Sequence, residues 1–315
     1  MKRTLVTIAL TAGLALPALA EDMTVAGIVF QQDQFFRTIQ MGMEKAARDA
    51  GVELLSGSSE SLPDKEIGLI DTYVARGVDA IVISPISADA SIPALQRAAD
   101  AGVKIVTYNS NINSDLPVSY LNSNQRDLGL STGKLAAAFV KDKLGGSAKI
   151  GTLGFKALLP EISADRVDSF VEEVSKGNKI EIVAQQDAWL ADKAVQVAGD
   201  MITANPEMTV IYAANEGGTV GAVQAVRNAG KQGKIFVFGI DGTLQLMDFL
   251  ADPDDVLQAV TAQQPFVMGE MAVKNAIAAA KGETVEKTVI VPVLGLSRTD
   301  PEGAAAFKAG LEAIQ

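Results

Sequence analysis

Lys234-Ile-Phe-Val-Phe-Gly-Ile-Asp-Gly-Thr243 is a short apolar run that stops at Gly239 and presents one carboxylate, Asp241, between two glycines. A continuous apolar run of this length bounded by glycine reads as a strand buried on both faces of a parallel sheet. The carboxyl end of such a strand is where open α/β sheets place ligand-binding groups. Gly239 and Gly242 are expected to let the backbone turn sharply and come close to a bound molecule, aiming Asp241. The competing reading makes Asp241 a polar loop residue that caps a helix beginning near Thr243.

Outward from this strand the chain alternates. Upstream, Val25–Phe30 predicts a strand, Phe35–Ala50 a helix, Gly51–Leu55 a strand, Asp64–Arg76 a helix, Asp79–Ile83 a strand, Ser87–Ala101 a helix and Val103–Thr107 a strand. After a strand near Val118–Leu121 a second round predicts helices over Gln125–Lys143, Ile162–Lys176, Ala191–Thr203 and Gly218–Ala229. Its strands are Lys149–Leu153, Lys179–Ala184 and Met208–Tyr212. Downstream of Asp241 come a helix to about Leu250, a strand Val256–Thr261, a helix Val267–Ala280 and the apolar run Thr288–Leu294. Repeated βα units with right-handed crossovers predict an α/β fold of two doubly wound parallel-sheet lobes. No low-complexity linker separates the rounds, so the lobes are expected to be joined by several extended crossings. One lobe takes residues 24–123 with 264–291, the other 124–263 with 292–315.

Composition excludes much chemistry. The 315 residues, 48% of them hydrophobic, suffice for two ordinary domains. With no His and no Cys, imidazole triads, thiol nucleophiles, disulfides and the common zinc sites cannot be built. Gly129-Leu-Ser-Thr-Gly-Lys134 and Gly217-Gly-Thr-Val-Gly221 match neither a phosphate-binding loop nor a dinucleotide fingerprint, and there is no Gly-x-Ser-x-Gly elbow. No cofactor or metal is expected. Asp252-Pro-Asp-Asp255 lacks the spaced ligands of a calcium loop and reads as a solvated turn.

Met1-Lys-Arg3, the apolar Thr4–Leu16 and Ala18-Leu-Ala20 form a cleavable signal peptide over residues 1–20, with Glu21 as the first mature residue. No Cys follows the cleavage site to carry a lipid, and no later run of about 20 apolar residues could span a membrane. A Gram-negative periplasmic protein, not itself membrane-embedded, is the expectation. Removing Lys2 and Arg3 with the leader takes the formal net charge from −11 to −13, which argues against nucleic acid and anionic membranes as partners.

Six motifs stand at successive element ends: Gln34-Phe-Phe36, Gly77-Val-Asp-Ala-Ile-Val-Ile-Ser-Pro85, Asp165-Arg-Val-Asp-Ser-Phe170, Tyr212-Ala-Ala-Asn-Glu216, Val237–Gly242 and Ala262-Gln-Gln-Pro265. In this order the chain resembles the periplasmic sugar-binding proteins of ABC transporters, of the ribose-binding type, over about Thr24–Leu294. The resemblance implies a non-enzymatic monomer of the type I periplasmic binding protein fold, which closes on a sugar and hands it to an ABC permease in the inner membrane. It implies that Phe35, Phe36 and Trp189 sandwich the ring, since sugar C–H faces pack on aromatic plates while hydroxyls point sideways. Arg166 then supplies planar donors and pairs with Asp241 across the site, while Asn215 and Gln263 donate and accept at once. The plainer readings are core packing for the phenylalanines and a surface place for Arg166.

The chain departs from the ribose pattern. Asn109-Ser110 stands where ribose-binding members carry Asp-Arg, and Asp33 stands where an amide is usual. Asp33, Asp241, Glu161 and Glu216 then face Arg166 as the main cation. Such a cleft suits a cationic amino sugar, or a polyol whose hydroxyls need acceptors, and disfavours acidic sugars. Other readings are a ligand sensor that presents its closed form to a chemoreceptor or histidine kinase, a regulator of the lactose-repressor type, and a carboxylate-pair glycosidase. The repressor reading lacks a helix-turn-helix and a basic surface.

Overall fold

The computed structural model describes residues 23–313; the leader expected over residues 1–20 lies outside the described residues. The chain begins β1 (Thr24–Val29), α1 (Gln34–Ala50), β2 (Glu53–Ser58), α2 (Pro63–Ala75), β3 (Ala80–Ile83), α3 (Ile92–Asp100), β4 (Lys104–Tyr108), β5 (Ser119–Asn122) and α4 (Gln125–Lys143). It continues β6 (Ser147–Gly154), α5 (Pro160–Val174), β7 (Lys179–Asp187), α6 (Ala191–Ala204), β8 (Val210–Ala213), α7 (Glu216–Asn228), β9 (Phe236–Ile240) and α8 (Leu244–Ala251). The last elements are β10 (Leu257–Ala262), α9 (Pro265–Ala280), β11 (Thr288–Ile290), β12 (Leu294–Ser297) and α10 (Pro301–Ala313).

The strands form two sheets, ordered β11-β5-β4-β3-β1-β2 and β12-β10-β9-β8-β6-β7. The two orders correspond position by position, and only β12 runs antiparallel to its neighbour. Both faces of each sheet are covered, giving two apolar clusters per sheet, and β3, β4, β8, β9 and β10 are almost wholly buried. That explains the uninterrupted apolar runs in the sequence.

Three segments pass between the sheets: 123–124 after β5, 263–264 after β10, and 291–293 between β11 and β12. The run Thr288–Leu294 is therefore not one element. Pro292 offers no N–H to a ladder, so the chain leaves the first sheet at Ile290 and joins the second at Leu294. The predicted helix from Ser87 starts later, at Ile92, because the Ser87 hydroxyl accepts the Ala90 N–H at 3.0 Å and holds a turn in front of Pro93. The helix α10, not foreseen, lays Phe307 against the core of the second sheet. No helix among the described residues is long and apolar enough to cross a membrane.

Helices touch where glycine replaces a side chain. A Cβ on Gly42 of α1 would lie 2.1 Å from the Phe266 carbonyl of α9, and one on Gly129 of α4 would lie 2.2 Å from the Arg166 carbonyl of α5. The second contact fixes the height of Arg166. The acidic segment 252–255 is a surface turn, as expected, and is also ion-paired: Arg227 binds Asp252 and Asp254, and Arg298 reaches Asp255 at 3.3 Å.

Candidate functional site

Asp241 follows the last residue of β9 with a left-handed backbone, φ 80°. Its N–H donates to the Thr261 carbonyl of β10 at 2.9 Å. The carboxylate accepts the backbone N–H of Glu216 at 2.9 Å and Nε2 of Gln263 at 3.2 Å. The flanking glycines serve a different purpose from the expected one: a Cβ at Gly239 would lie 2.2 Å from Oγ1 of Thr219, and one at Gly242 would lie 2.6 Å from Cβ of Ala262. They make room for packing, and Asp241 itself takes the strained conformation. Nor does Asp241 cap the helix that follows. Thr243 accepts the Leu246 N–H there at 3.4 Å, while Asp241 faces the start of α7, where the partial positive charge of the helix end favours an anion.

Arg166 is only 7% exposed. Its Nε donates to Oε1 of Gln125 at 2.8 Å and its Nη1 to the Ala214 carbonyl at 2.9 Å, with the guanidinium carbon 5.5 Å from the Phe155 ring centre. The expected pairing with Asp241 across the site is not made. Both residues belong to the second sheet and its helices, and no contact-distance ion pair joins them. They interact through space: burial lowers the guanidinium pKa, and the carboxylate of Asp241 opposes that shift.

The other expected residues divide into engaged and free. Asn215, 4% exposed, accepts the Gly218 N–H at 3.3 Å as the cap of α7 and donates Nδ2 to the Trp189 carbonyl at 2.8 Å, so its amide holds the protein together. Asp33 caps α1 by accepting the Phe36 N–H at 2.9 Å and also accepts from Gln31. Phe36 is buried in the core beneath Phe30, whereas Phe35 is half-buried and meets Phe36 edge-on at 5.2 Å. Trp189 is 39% exposed and stands edge-on to Phe155 at 5.0 Å. Asn109 follows β4 at φ 59° with its N–H on the Leu121 carbonyl at 2.8 Å. Glu161 lies exposed in the first turn of α5. Gln263 is 6% exposed, and its Oε1 is buried with no hydrogen-bond partner among the described residues.

Glu216 joins this group more closely than the sequence indicated. Burial raises its pKa, the carboxylate of Asp241 raises it further, the hydroxyl of Thr243 opposes, and Asp33 adds to the rise. The last influence reaches Glu216, at the start of α7 beside the second sheet, from Asp33, the cap of α1 beside the first. Gln125 and Phe155 were not singled out from the sequence. Their signals were positional: Gln125 opens α4 at the first crossing, and Phe155 follows β6 as Phe30 follows β1.

Two corresponding, mostly parallel sheets carry charged, amide and aromatic side chains at their strand ends, the arrangement of a two-part binding fold. Residues 27–284 match the family model described as "Periplasmic binding protein domain", and the chain belongs to that family, whose members bind solutes and are not enzymes. It is 33% identical over 310 residues to the ABC transporter periplasmic-binding protein YphF of Escherichia coli, covering 95% of this chain and 93% of that one. It is 28% identical over 260 residues to the ribose import binding protein RbsB of Bacillus subtilis, covering 82% of each. A solute-binding protein from Actinobacillus succinogenes solved with bound D-allose superposes with a TM-score of 0.79 at 24% identity, covering 89% of this chain and 99% of that one. The resemblance carried by the six motifs holds for the family and its fold.

Proposed function

We propose that this protein is the periplasmic solute-binding component of an ABC importer, taking a monosaccharide or a related polyol or amino sugar between its two lobes and delivering it to an inner-membrane permease. The observation that carries this reading is the unpartnered, buried Oε1 of Gln263 beside Asp241: an acceptor and an anion held ready at a strand end for hydroxyl donors. Half-buried Phe35 and partly exposed Trp189 supply apolar plates for the C–H faces of a ring. The lobes are residues 24–123 with 264–291 and 124–263 with 292–315, joined by three crossings that act as the hinge. Closure is driven by contacts available only when both lobes touch the ligand. A micromolar dissociation constant corresponds to about −8 kcal/mol, within reach of several hydrogen bonds to charged groups plus aromatic contact. The mature protein works as a monomer in a Gram-negative periplasm after loss of the leader. YphF and RbsB carry transporter names, which favours import over the sensor reading.

Calorimetric titration and thermal shift with pentoses, hexoses, inositols and their amino derivatives test this. Saturable binding with one site per chain is expected. A panel in which none of these binds would overturn the reading.

A further inference from the structure

The side chains gathered at the strand ends do not balance in charge. Glu216 and Asp241 meet there, with the Glu216 N–H on the Asp241 carboxylate at 2.9 Å, and Asp33 acts on Glu216 through space; the nearby cation is Arg166, whose Nε and Nη1 are already engaged by Gln125 and Ala214. Arg37 is exposed and Glu161 lies out in solvent, so neither redresses the balance. Asp33 caps α1 beside the first sheet and Glu216 opens α7 beside the second, so closing of the sheets on a ligand would bring the two carboxylates nearer. With neutral contents that approach costs Coulomb energy, more as water is expelled.

A second observation points to a ligand at the same place. Asp241 can only accept, so the Gln263 amide must turn Nε2 toward it. That leaves Oε1, buried and without a partner among the described residues, as a further acceptor on the same side chain. The region is thus an array of acceptors: three carboxylates and an amide oxygen, short of donors and of positive charge. An ammonium group supplies three donors and one charge.

Resting on the sugar-binding reading above, we propose that the natural ligand carries a protonated amine as well as hydroxyls, and that its ammonium is held between Asp33 on one lobe and Glu216 beside Asp241 on the other. The hydroxyls fall to Arg166 and to Oε1 of Gln263. Glu216 and Asp33 are then the residues that select for the amine, one from each lobe, and the ammonium joins the lobes by bridging them.

The test is calorimetric titration of the mature chain with matched pairs: D-allosamine and D-allose, D-glucosamine and D-glucose, an aminated inositol and myo-inositol, with ethanolamine as an amine lacking a ring. The expected result is that at least one amine binds about ten- to hundredfold more tightly than its hydroxyl counterpart, the range of a hydrogen bond to a charged group. Glu216→Gln should shrink that ratio toward one, and so should Asp33→Asn, which keeps the cap of α1. Hydroxyl members binding as well as or better than their amines would overturn the ammonium assignment and leave sugar binding standing. Ethanolamine binding as tightly as the best amino sugar, with every neutral sugar inert, would overturn the sugar reading and support the amine. Silence from the whole panel would overturn both.

Discussion

Asn109 and Asp241 occupy the same place in the two sheets. Each follows the last residue of its strand, β4 or β9, at φ 59° or 80°, and each donates its N–H to the neighbouring strand, to Leu121 at 2.8 Å or Thr261 at 2.9 Å. A left-handed backbone is uncommon outside glycine, and Asn and Asp are the residues that tolerate it best. That non-glycine residues stand at two such strand ends, where glycine would be easier, points to a use for their side chains. We predict that Asp241→Gly and Asp241→Ala both abolish ligand-induced thermal stabilisation, and that the Ala variant is the less stable without ligand, by roughly 1 kcal/mol of backbone strain. Thermal melts with and without sugar check both points. A ligand-induced shift retained in either variant would remove the carboxylate from the site.

Arg166 owes its orientation to Gln125. The acceptor of its Nε sits in the first turn of α4, and the same amide donates Nε2 to the Ser123 carbonyl at 2.9 Å within the first crossing. Asp241 is tied in the same manner to Gln263 in the second crossing. Each charged group is therefore linked to a segment between the sheets by one glutamine. Gln125→Ala should leave a buried guanidinium N–H unpaired, costing about 1–3 kcal/mol of stability, and should weaken ligand binding about tenfold. Titration calorimetry beside a denaturant melt separates the two effects; unchanged affinity would show that Arg166 needs no support from α4.

Much of this was legible in the sequence because it depended on periodicity and order. The strand 236–240, the alternation of elements, the two rounds and the candidate residues at strand ends follow from apolar runs and punctuation. What was not legible depended on how polar atoms are shared. Asn215 reads as a ligand amide, yet both ends of its amide are taken by Gly218 and Trp189. Asp33 doubles as a helix cap, and the glycines beside Asp241 answer to Thr219 and Ala262. Glu216 was visible as an acid next to Asn215. Its weight comes from burial and from Asp33, a residue far away in the chain but near in space.

The seam between α4 and α5 separates packing glycines from spare ones. A Cβ at Gly129 would lie 2.1 Å from Oγ of Ser169, 2.2 Å from the Arg166 carbonyl and 2.9 Å from the Phe170 N, and two of these are backbone atoms that cannot rotate away. Gly68 in α2 is exposed, and a Cβ there meets nothing within 4 Å. Gly129→Ala should therefore destabilise by about 1–3 kcal/mol and displace Arg166, lowering affinity as well. Gly68→Ala should stabilise by about 0.4–1 kcal/mol, through a less flexible unfolded chain and better helix propensity, with affinity unchanged. Equal melting temperatures for the two variants would mean that the helices separate freely at this seam.

Glu216 should make the ligand-free protein sensitive to pH, and the sign follows from its surroundings. Burial first, then the carboxylates of Asp241 and Asp33, raise its pKa above the ordinary carboxyl range, with the hydroxyl of Thr243 opposing. Between the unfolded and folded pKa values the folded chain holds more protons than the unfolded chain, so this group's contribution to stability falls as pH rises through that window. Replacing it with the neutral Glu216→Gln removes the penalty. The variant should melt at the same temperature as the parent at acid pH, where both side chains are uncharged, and above it once the pH passes the folded pKa of Glu216. A bound cation reverses the shift by favouring the anion, so an amine that remains protonated should bind more tightly as pH rises through the same window, with release of protons from the complex. Titrations in two buffers of different ionisation enthalpy read that release directly. Proton uptake on binding the amine would show that Glu216 is driven toward its neutral form in the complex, and the carboxylate would then not be the group that holds the charge.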